Sequence, residues 1–518
     1  MPSRPTVPFR EWAVAVCAGG TLAFAAWALA GRPAWTLHLM LAGGVLTFAC
    51  SFLPLGRAQR AGERGRKRKG AGPEPDDGDA GDAATGVKRV KVSEASAFGR
   101  LVRWPAFWCS LAVLVYLLIG ALNPAVELRG DERGWWVEAV EAPLGIHWPT
   151  SVASEYEPMN AWRVLQVFAA AFTLMWGLRA GITRRAPILL VLWTCLLSGV
   201  AMGFVAILQH FTGTDQVLWS VPSQNPNFWG SFFYRNQGTA YLNWMLVGCG
   251  VLYFHHARRS RDRYQSGGPH FLLFLCIGLL AASVGLALSR GGILFAAILT
   301  AAFLVGAVLQ FLLASLTVGR SFSIALILAG LLGAGGWLAY QAVDWKAMEA
   351  RFGDIEATIA EADRDARAIS SRATWDMAQD RLLLGWGAGS FRYVFPMYQR
   401  EYPEIFYQRH HPKRGWVGRK VYEYAHNDIV QFVAEYGIIG SGLILLTVLS
   451  LLLPGLHPSS LRTSGFAVGF MLLGTACAAA HAFFDFIFNS PAYWVAFIGL
   501  LAGLNRLFAL EARRNRGY

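Results

Sequence analysis

Residues 187–209 read PILLVLWTCLLSGVAMGFVAILQ, a run of 23 residues with no charged side chain. A helix that crosses the hydrocarbon core of a membrane needs about 20 apolar residues, so this run predicts a transmembrane helix. Eleven comparable apolar runs lie elsewhere in the chain. The full set is 12–30, 34–53, 104–123, 160–178, 187–209, 237–254, 270–288, 292–314, 322–342, 429–453, 464–484 and 491–509.

The overall composition agrees with these runs, since 54% of the 518 residues are hydrophobic and only 15% are charged. An ordinary soluble domain is about 25% charged, which argues against a soluble enzyme and against disorder over most of the chain. The sequence therefore predicts an all-α polytopic membrane protein with about twelve transmembrane helices. Its seven cysteines lie in or beside the apolar runs and have no metal-ligand spacing, so they predict neither disulfides nor a zinc site.

The formal charge of +13 is distributed unevenly. Twelve Lys and Arg residues lie in 54–103 and more lie in 179–186, in 255–269 and at the C-terminal end, whereas 124–159 has two Arg and seven acidic residues. Cytoplasmic loops of membrane proteins carry such a basic excess. Twelve spans with both termini in the cytoplasm place every basic segment on that side. The charge then indicates membrane orientation and requires no nucleic-acid partner.

The same count places one long hydrophilic segment, residues 343–428, on the opposite side of the membrane. It has thirteen basic and thirteen acidic residues and partly helical periodicity, and ordered loops of this size are more often functional than linkers. The predicted regions are transmembrane helices 1–2 (1–53), a basic, disordered cytoplasmic loop (54–103), helices 3–9 (104–342), the large loop (343–428), and helices 10–12 with a cytoplasmic tail (429–518).

Three arginines are expected at the face of the membrane that carries the large loop. Arg290 follows the seventh run in Ser289-Arg290-Gly291, Arg235 precedes the sixth, and Arg372 lies in the loop. Guanidinium groups suit bidentate recognition of phosphate, so together they predict an anion site. The alternative for Arg290 is an arginine at the membrane boundary whose charge reaches the interface.

His426 lies at the end of the large loop, where the tenth apolar run begins. A histidine there suits a general base because its pKa lies near neutrality. The alternative is a histidine at a helix start, with Asn427 or Asp428 as the cap. Farther along, His481 and Asp485 are ionisable residues in or beside an apolar run, which indicates either a functional site or a structural hydrogen bond between them.

Two other patterns in the loop carry less weight. Gly385-x-Gly387-x-Gly389 is similar to a phosphate-binding loop, but it follows a helix and no strand precedes it. The pair His410-His411 with His426 has no carboxylate-rich spacing that would indicate a metal site. We therefore expect neither a nucleotide site nor a metal.

These motifs, taken in order, resemble the O-antigen ligase/polymerase family of bacterial membrane enzymes. The strongest match is His426-Asn427 followed after nine residues by Gly437-x-x-Gly440. Further similarities are Ser289-Arg290-Gly291, Arg372-x-x-Trp375 leading into residues 384–391, and the stretch from His481 through Asp485 to Pro491. The resemblance covers roughly residues 200–510.

The resemblance implies a glycosyltransferase of the bacterial inner membrane whose active face, with the large loop, is periplasmic. Its donor would be a glycan on undecaprenyl pyrophosphate, and its acceptor a sugar hydroxyl of lipid A–core or of another glycan. No metal or other cofactor is expected. His426 would be the base, Arg290 and Arg235 would bind the pyrophosphate, and Arg372 would hold either the phosphates or the loop. Asn427, His481 and Asp485 would support them.

Several alternatives stay open at the level of sequence. Ser441 is followed by Gly442, where ligases often continue with hydroxyl residues, so a polymerase and a protein O-oligosaccharyltransferase of the same family remain possible. A polytopic transporter or flippase and a non-catalytic scaffold are the alternatives from other classes. Against a transporter, the sequence shows no evident inverted repeat.

Overall fold

The structure, a computed structural model, describes residues 7–54, 96–132, 134–155, 159–262, 268–315, 366–411 and 415–514. Most of these residues are helical. In chain order the helices are α1 (Phe9–Trp27), α2 (Ala34–Cys50), α3 (Ala97–Val102), α4 (Pro105–Leu122), α5 (Ala161–Gly181), α6 (Arg185–Thr212), α7 (Arg235–Arg261), α8 (His270–Leu286), α9 (Arg290–Ser315), α10 (Ala366–Asp380), α11 (Phe391–Gln399), α12 (Pro403–Phe406), α13 (Asp428–Leu456), α14 (Pro458–Ala482) and α15 (Pro491–Arg514).

Eleven of the twelve apolar runs coincide with helices in the described part of the chain. Seven of these helices, α4, α5, α6, α9, α13, α14 and α15, are long and apolar enough to cross a membrane, and α2 and α8 are apolar but shorter. The run at 322–342 lies outside the described residues. The prediction of an α-helical multi-pass membrane protein is therefore confirmed, while the count of twelve spans stays a prediction.

The helices differ in how much of their apolar surface the protein itself covers. In α15 and α5, 83% and 72% of the most apolar 18-residue window is buried, whereas in α9 and α4 the values are 28% and 33%. Side chains of a membrane helix that are not buried in protein face lipid, so α15 and α5 are central and α9 and α4 peripheral. Close packing at the centre uses glycine, because a Cβ at Gly177 would contact Thr47 of α2 at 2.7 Å.

Short strands occur in the connecting segments, which the all-α prediction leaves out. Where backbone is outside the hydrocarbon core, water and neighbouring strands can satisfy its polar groups. The strands are β1 (Pro124–Asp131), β2 (Gly134–Ala139), β3 (Ser151–Ala153), β4 (Gln216–Val217), β5 (Val221–Pro222), β6 (Tyr407–His411) and β7 (Gly415–Arg419). One sheet has the order β2-β1-β3, with β2 antiparallel and β3 parallel to β1.

Both predicted hydrophilic loops are described only in part. Residues 55–95, most of the predicted basic loop at 54–103, lie outside the described residues. So does the first part of the large loop up to residue 365. The described rest of this segment contains α10, α11 and α12, followed by the hairpin of β6 and β7. The compartment that this loop faces stays a prediction.

Several segments predicted to be cytoplasmic meet at one end of the bundle, which we call the basic end. Arg100 of α3 donates a hydrogen bond to the carbonyl of Ala180, and Arg506 of α15 donates to that of Ile182 at 2.6 Å. Arg185 of α6 lies 3.7 Å from the carboxylate of Glu511. The large loop packs at the opposite end, which we call the site end.

Candidate active site at the start of α13

His426 lies at the site end, where the loop enters α13. Its backbone φ is 58°, a left-handed conformation that is rare for residues other than glycine and that clusters at functional sites. The cap of α13 is Asn427, because its side-chain oxygen accepts the N–H of Val430 at 3.2 Å. Since Asn427 does the capping, the imidazole of His426 is not used as a cap and instead lines a large cavity.

The carboxylate of Asp485 lies beside this imidazole. Nδ1 of His426 is 3.9 Å from Oδ1 of Asp485, whose side chain is only 3% exposed. Burial raises the pKa of Asp485, and this effect exceeds the opposing one from the positive charge of Arg367. Hydrogen bonds from Phe486 N–H, at 2.9 Å, and from Asn236 also favour the ionised form. A carboxylate so placed can orient a histidine and stabilise its protonated form.

A chain of hydrogen bonds positions Asp485. The Ser289 hydroxyl donates to Oδ1 of Asn236 at 2.7 Å, and Nδ2 of Asn236 donates to Asp485. Nδ2 of Asn236 also lies 3.1 Å from the hydroxyl oxygen of Tyr234. The chain therefore joins the starts of α7 and α9 to the segment between α14 and α15. Sequence reasoning noted both segments for their arginines and missed the amide and hydroxyl beside them.

An aromatic stack forms the wall next to the imidazole. The ring of Phe486 lies between those of Tyr234 and Tyr424, with centroids 4.8 and 4.5 Å apart, and the ring of His426 meets Phe486 edge-on at 4.8 Å. Burial, with the nearby Asp485, raises the pKa of Tyr234 to about 12, so its hydroxyl stays protonated at neutral pH. The imidazole is thus held against an apolar wall on one side.

The cavity lined by His426 has a volume of about 1060 Å³. This is large enough for a ligand of several rings. Its cationic side chains come from separate parts of the chain and are Arg32, Arg163, Arg419 and Lys420. The guanidinium of Arg163 also donates to the carbonyls of Gly31 and Arg32, at 3.1 and 2.7 Å. The arrangement combines a base candidate with several positive charges in one space.

The three predicted arginines are not among the side chains that line this cavity in the described part of the chain. Arg235 lines a neighbouring cavity of about 260 Å³. Arg290 begins α9, next to the Ser289 hydroxyl of the hydrogen-bond chain. Arg372 is exposed on α10, where its positive charge acts on Tyr402. The hydroxyl of Tyr402 donates a hydrogen bond to the carboxylate of Asp376 at 2.5 Å. The role of these arginines in binding pyrophosphate stays a prediction.

Arg367 is a cation of this site that sequence reasoning missed. It lies on α10 and donates a hydrogen bond to the carbonyl of Phe484 at 3.3 Å. Its charge acts on both Asp485 and Tyr234. The predicted anion site instead contains Arg372 of the same helix. The two are five residues apart, so they point in directions about 140° apart around the helix.

Within the described part of the chain, His481 and Asp485 do not form the hydrogen bond that their separation of four residues suggests. His481 is buried against Phe295, with ring centroids 5.2 Å apart, and its Nε2 has no hydrogen-bond partner there. A Cβ at Gly291 would lie 2.9 Å from that nitrogen. Asp485 lies beyond the end of α14, which ends at Ala482, and turns toward His426 instead.

The two glycine motifs dock onto each other and so fix the start of α13. The N–H groups of Trp386 and Gly387 donate to the carbonyls of Ala434 and Glu435, at 2.9 and 2.8 Å. The N–H of Gly389 donates to the Glu435 carboxylate at 3.1 Å. These N–H groups are therefore engaged within the protein and are not arranged to bind phosphate.

Gly437 interrupts α13 with a φ of 62°, and a Cβ there would overlap the Leu383 carbonyl. Two small residues spaced as Gly437 and Gly440 are can allow close packing of membrane helices. Gly440 does so, since a Cβ there would lie 2.9 Å from the ring of Tyr116. Gly437 instead allows the loop to approach the helix. The hydroxyl of Tyr116 contributes to the same junction by donating to the carbonyl of Leu384 at 2.6 Å.

No group of three or more His, Cys, Asp or Glu side chains that could hold a metal ion occurs among the described residues. The backbones of His410 and His411 lie in β6, on the hairpin. Metal independence stays a prediction.

Residues 271–445 match the family described as O-Antigen ligase. The match confirms the resemblance to this family that the motifs predict. It comprises 175 of the 518 residues, and no curated protein matches the chain. Together with the apolar helices, the match supports a membrane glycosyltransferase of the ligase or polymerase type that acts on lipid-linked glycans.

The matched segment includes His426, Arg290, Arg372 and both glycine motifs. It ends before Asp485 and begins after Asn236. The residues that contact the imidazole and its carboxylate partner are therefore contributed in part by segments on either side of the matched domain.

Proposed function

We propose that this protein is an O-antigen ligase-like glycosyltransferase. It would move a glycan from undecaprenyl pyrophosphate to a sugar hydroxyl of lipid A–core or of another acceptor, at the periplasmic face of the bacterial inner membrane. The observation that carries this proposal is the pairing of His426 with Asp485, 3.9 Å apart, at the wall of a cavity that also contains cationic side chains.

In the proposed reaction the acceptor hydroxyl attacks the anomeric carbon of the donor sugar. As the new carbon–oxygen bond forms, His426 takes the proton of the hydroxyl. The bond between the anomeric carbon and the pyrophosphate oxygen breaks, and its electron pair leaves with the pyrophosphate. Because Nδ1 of His426 is the ring nitrogen that lies near Asp485, at 3.9 Å from its Oδ1, Nε2 is the nitrogen that would take the proton. The Asp485 carboxylate would stabilise the resulting imidazolium.

The leaving pyrophosphate gains negative charge, which fixed positive charges stabilise. Arg290, with Arg235, remains the proposed partner, because it directly follows Ser289, whose hydroxyl begins the chain that leads to Asp485. Arg32 and Arg163 line the cavity and are further candidates. The exposed position of Arg372 beside Tyr402 favours a role in holding the loop. Asn427 supports the site as the cap next to His426.

Transfer by the purified full-length protein tests this proposal. The assay supplies a lipid-pyrophosphate-linked glycan with lipid A–core, with a second glycan chain or with a glycan-accepting protein, and measures the new glycosidic bond. The acceptor that is used separates a ligase from a polymerase and from a protein O-oligosaccharyltransferase.

His426→Ala should lower transfer by about 10²–10⁴-fold, the usual contribution of a general base, with unchanged membrane insertion. His147→Ala, an exposed histidine in another loop, is the matched control and should retain full activity. Undiminished transfer by His426→Ala would show that the assigned base is wrong. Translocation of the lipid-linked glycan across the membrane of liposomes that contain the protein, without formation of a new glycosidic bond, would favour the transporter alternative.

A further inference from the structure

A second large cavity lies at the basic end, away from the proposed active site. It has a volume of about 780 Å³ and is enclosed by the last part of α7, the second half of α9 and the first half of α14. A charged portion and an apolar portion make up its lining.

The charged portion has an excess of guanidinium groups, contributed by Arg258, Arg259, Arg261 and Arg462. Two carboxylates also line the cavity, and both have cationic neighbours. Asp262 lies 3.7 Å from Arg258, and Glu511 lies 3.7 Å from Arg185. The positive charge of the cavity therefore exceeds its negative charge, and an anion is the complementary ligand.

A break in α14 adds to this positive character. Ser464 has non-helical angles, φ −140° and ψ 31°, so the helix starts again within the cavity wall. A helix start directs unpaired N–H groups and a partial positive charge toward its surroundings. Arg462 lies two residues before this second start and also lines the cavity.

The apolar portion continues between α9 and α14. It is lined by aromatic and aliphatic side chains and by a glycine, namely Phe254, Phe466, Phe470, Leu473, Ala302 and Gly306. Gly469 also lines it, and a Cβ at Gly469 would meet no atom within 4 Å. The cavity thus joins a positively charged portion to an open apolar crevice beside α9, a helix whose most apolar 18-residue window is only 28% buried in the protein.

We infer that this cavity binds an anionic phospholipid, with its phosphate among the arginines and an acyl chain along the crevice between α9 and α14. A free phosphate would use only the charged portion. The apolar crevice and its opening beside a lipid-facing helix therefore favour the lipid, since basic pockets between membrane helices suit anionic head groups.

The test titrates the detergent-solubilised full-length protein with dioctanoyl phosphatidylglycerol and counts bound lipid by native mass spectrometry. Dioctanoyl phosphatidylcholine and inorganic phosphate are the comparison ligands. Arg462→Gln should weaken phosphatidylglycerol binding about three- to tenfold. Arg103→Gln removes one exposed charge at the same end outside the cavity, and binding should stay within about twofold of native.

Gly469→Leu fills the crevice and should weaken lipid binding by a similar factor. Gly278→Leu, at an exposed helical glycine of α8 with the same open surroundings, should not. Equal losses in Arg462→Gln and Arg103→Gln would overturn the inference, because they would indicate a general attraction of charge. Competition by inorganic phosphate together with unchanged binding by Gly469→Leu would also overturn it, and would assign the arginines to a soluble phosphate.

Discussion

The basic end and the site end both contain a buried carboxylate beside polar and cationic groups, but the two carboxylates differ in how fully they are bonded. At the basic end, the Glu11 carboxylate accepts hydrogen bonds from the N–H groups of Thr183 and Arg184 and from the Thr183 hydroxyl, at 2.6–2.9 Å. At the site end, the Asp485 carboxylate accepts hydrogen bonds from the N–H of Phe486 and from the amide of Asn236. Its distance of 3.9 Å from Nδ1 of His426 is longer than a hydrogen bond.

This difference separates a structural carboxylate from one available for chemistry. Glu11 joins α1 to the connection between α5 and α6, and its bonds stabilise one arrangement of the bundle. Asp485 lies beside an imidazole that lines an open cavity. A positive charge on that imidazole would therefore interact favourably with the Asp485 carboxylate. Similar residue types thus serve packing at one end and, in our proposal, proton transfer at the other.

Asp485→Asn should produce the largest effect on activity. A small effect would mean that Asp485, like Glu11, has only a structural role. We expect a loss of about 10²–10⁴-fold in kcat/KM for glycan transfer, because the imidazolium loses its negative partner. Asp215→Asn, at an exposed aspartate in another connection, is the control and should be active. Native activity in Asp485→Asn would remove Asp485 from the proposed mechanism.

Glu11→Ala should have the opposite pattern, with lower stability and unchanged chemistry. It leaves three hydrogen-bond donors without their acceptor, and a buried donor in that state costs about 1–3 kcal/mol. The midpoint of thermal unfolding should fall by roughly 5 °C, while kcat per folded molecule stays native. Glu141→Ala, at an exposed glutamate, should change neither quantity. A specific loss of kcat in Glu11→Ala would mean that the two ends are coupled.

The smallest expected effect is the pH dependence of stability in Asp485→Asn. Burial raises the pKa of Asp485, so the folded protein binds this proton more tightly than the unfolded chain. The contribution of Asp485 to stability is therefore present at low pH and decreases as pH rises through the raised pKa. The uncharged amide of the variant does not titrate and lacks this decrease. The melting temperature of the variant relative to native should rise between pH 4 and pH 7, and a fall would contradict the assigned direction.

The helices were predictable because the chain contains apolar runs of about 20 residues, the length that a helix needs to cross the hydrocarbon core of a membrane. The start of α13 was also predictable, since Asn427 before an apolar run is a helix cap and the glycines of residues 384–391 end a helix. The short strands were missed, because each is brief and lies in a connection whose composition resembles that of a loop.

The positions of the charged side chains were harder to predict from sequence. Arg367 and Arg372 have the same chemistry and share α10, yet one acts on Asp485 and the other on Tyr402. Which of them faces the site depends on how α10 packs against distant segments. Asn236 was missed for the same reason, since its partner Asp485 is 249 residues away.

The interruption of α13 at Gly437 divides this helix into two mechanical parts. The first part, from Asp428 to Tyr436, accepts hydrogen bonds from the N–H groups of Trp386 and Gly387 in the loop. The second part begins with Ile438 and Ile439, whose N–H groups donate to the loop carbonyls of Leu382 and Leu383. The loop is therefore bonded on both sides of the interruption, so a displacement of the loop would move this joint of α13 and, with it, the imidazole at the start of the helix.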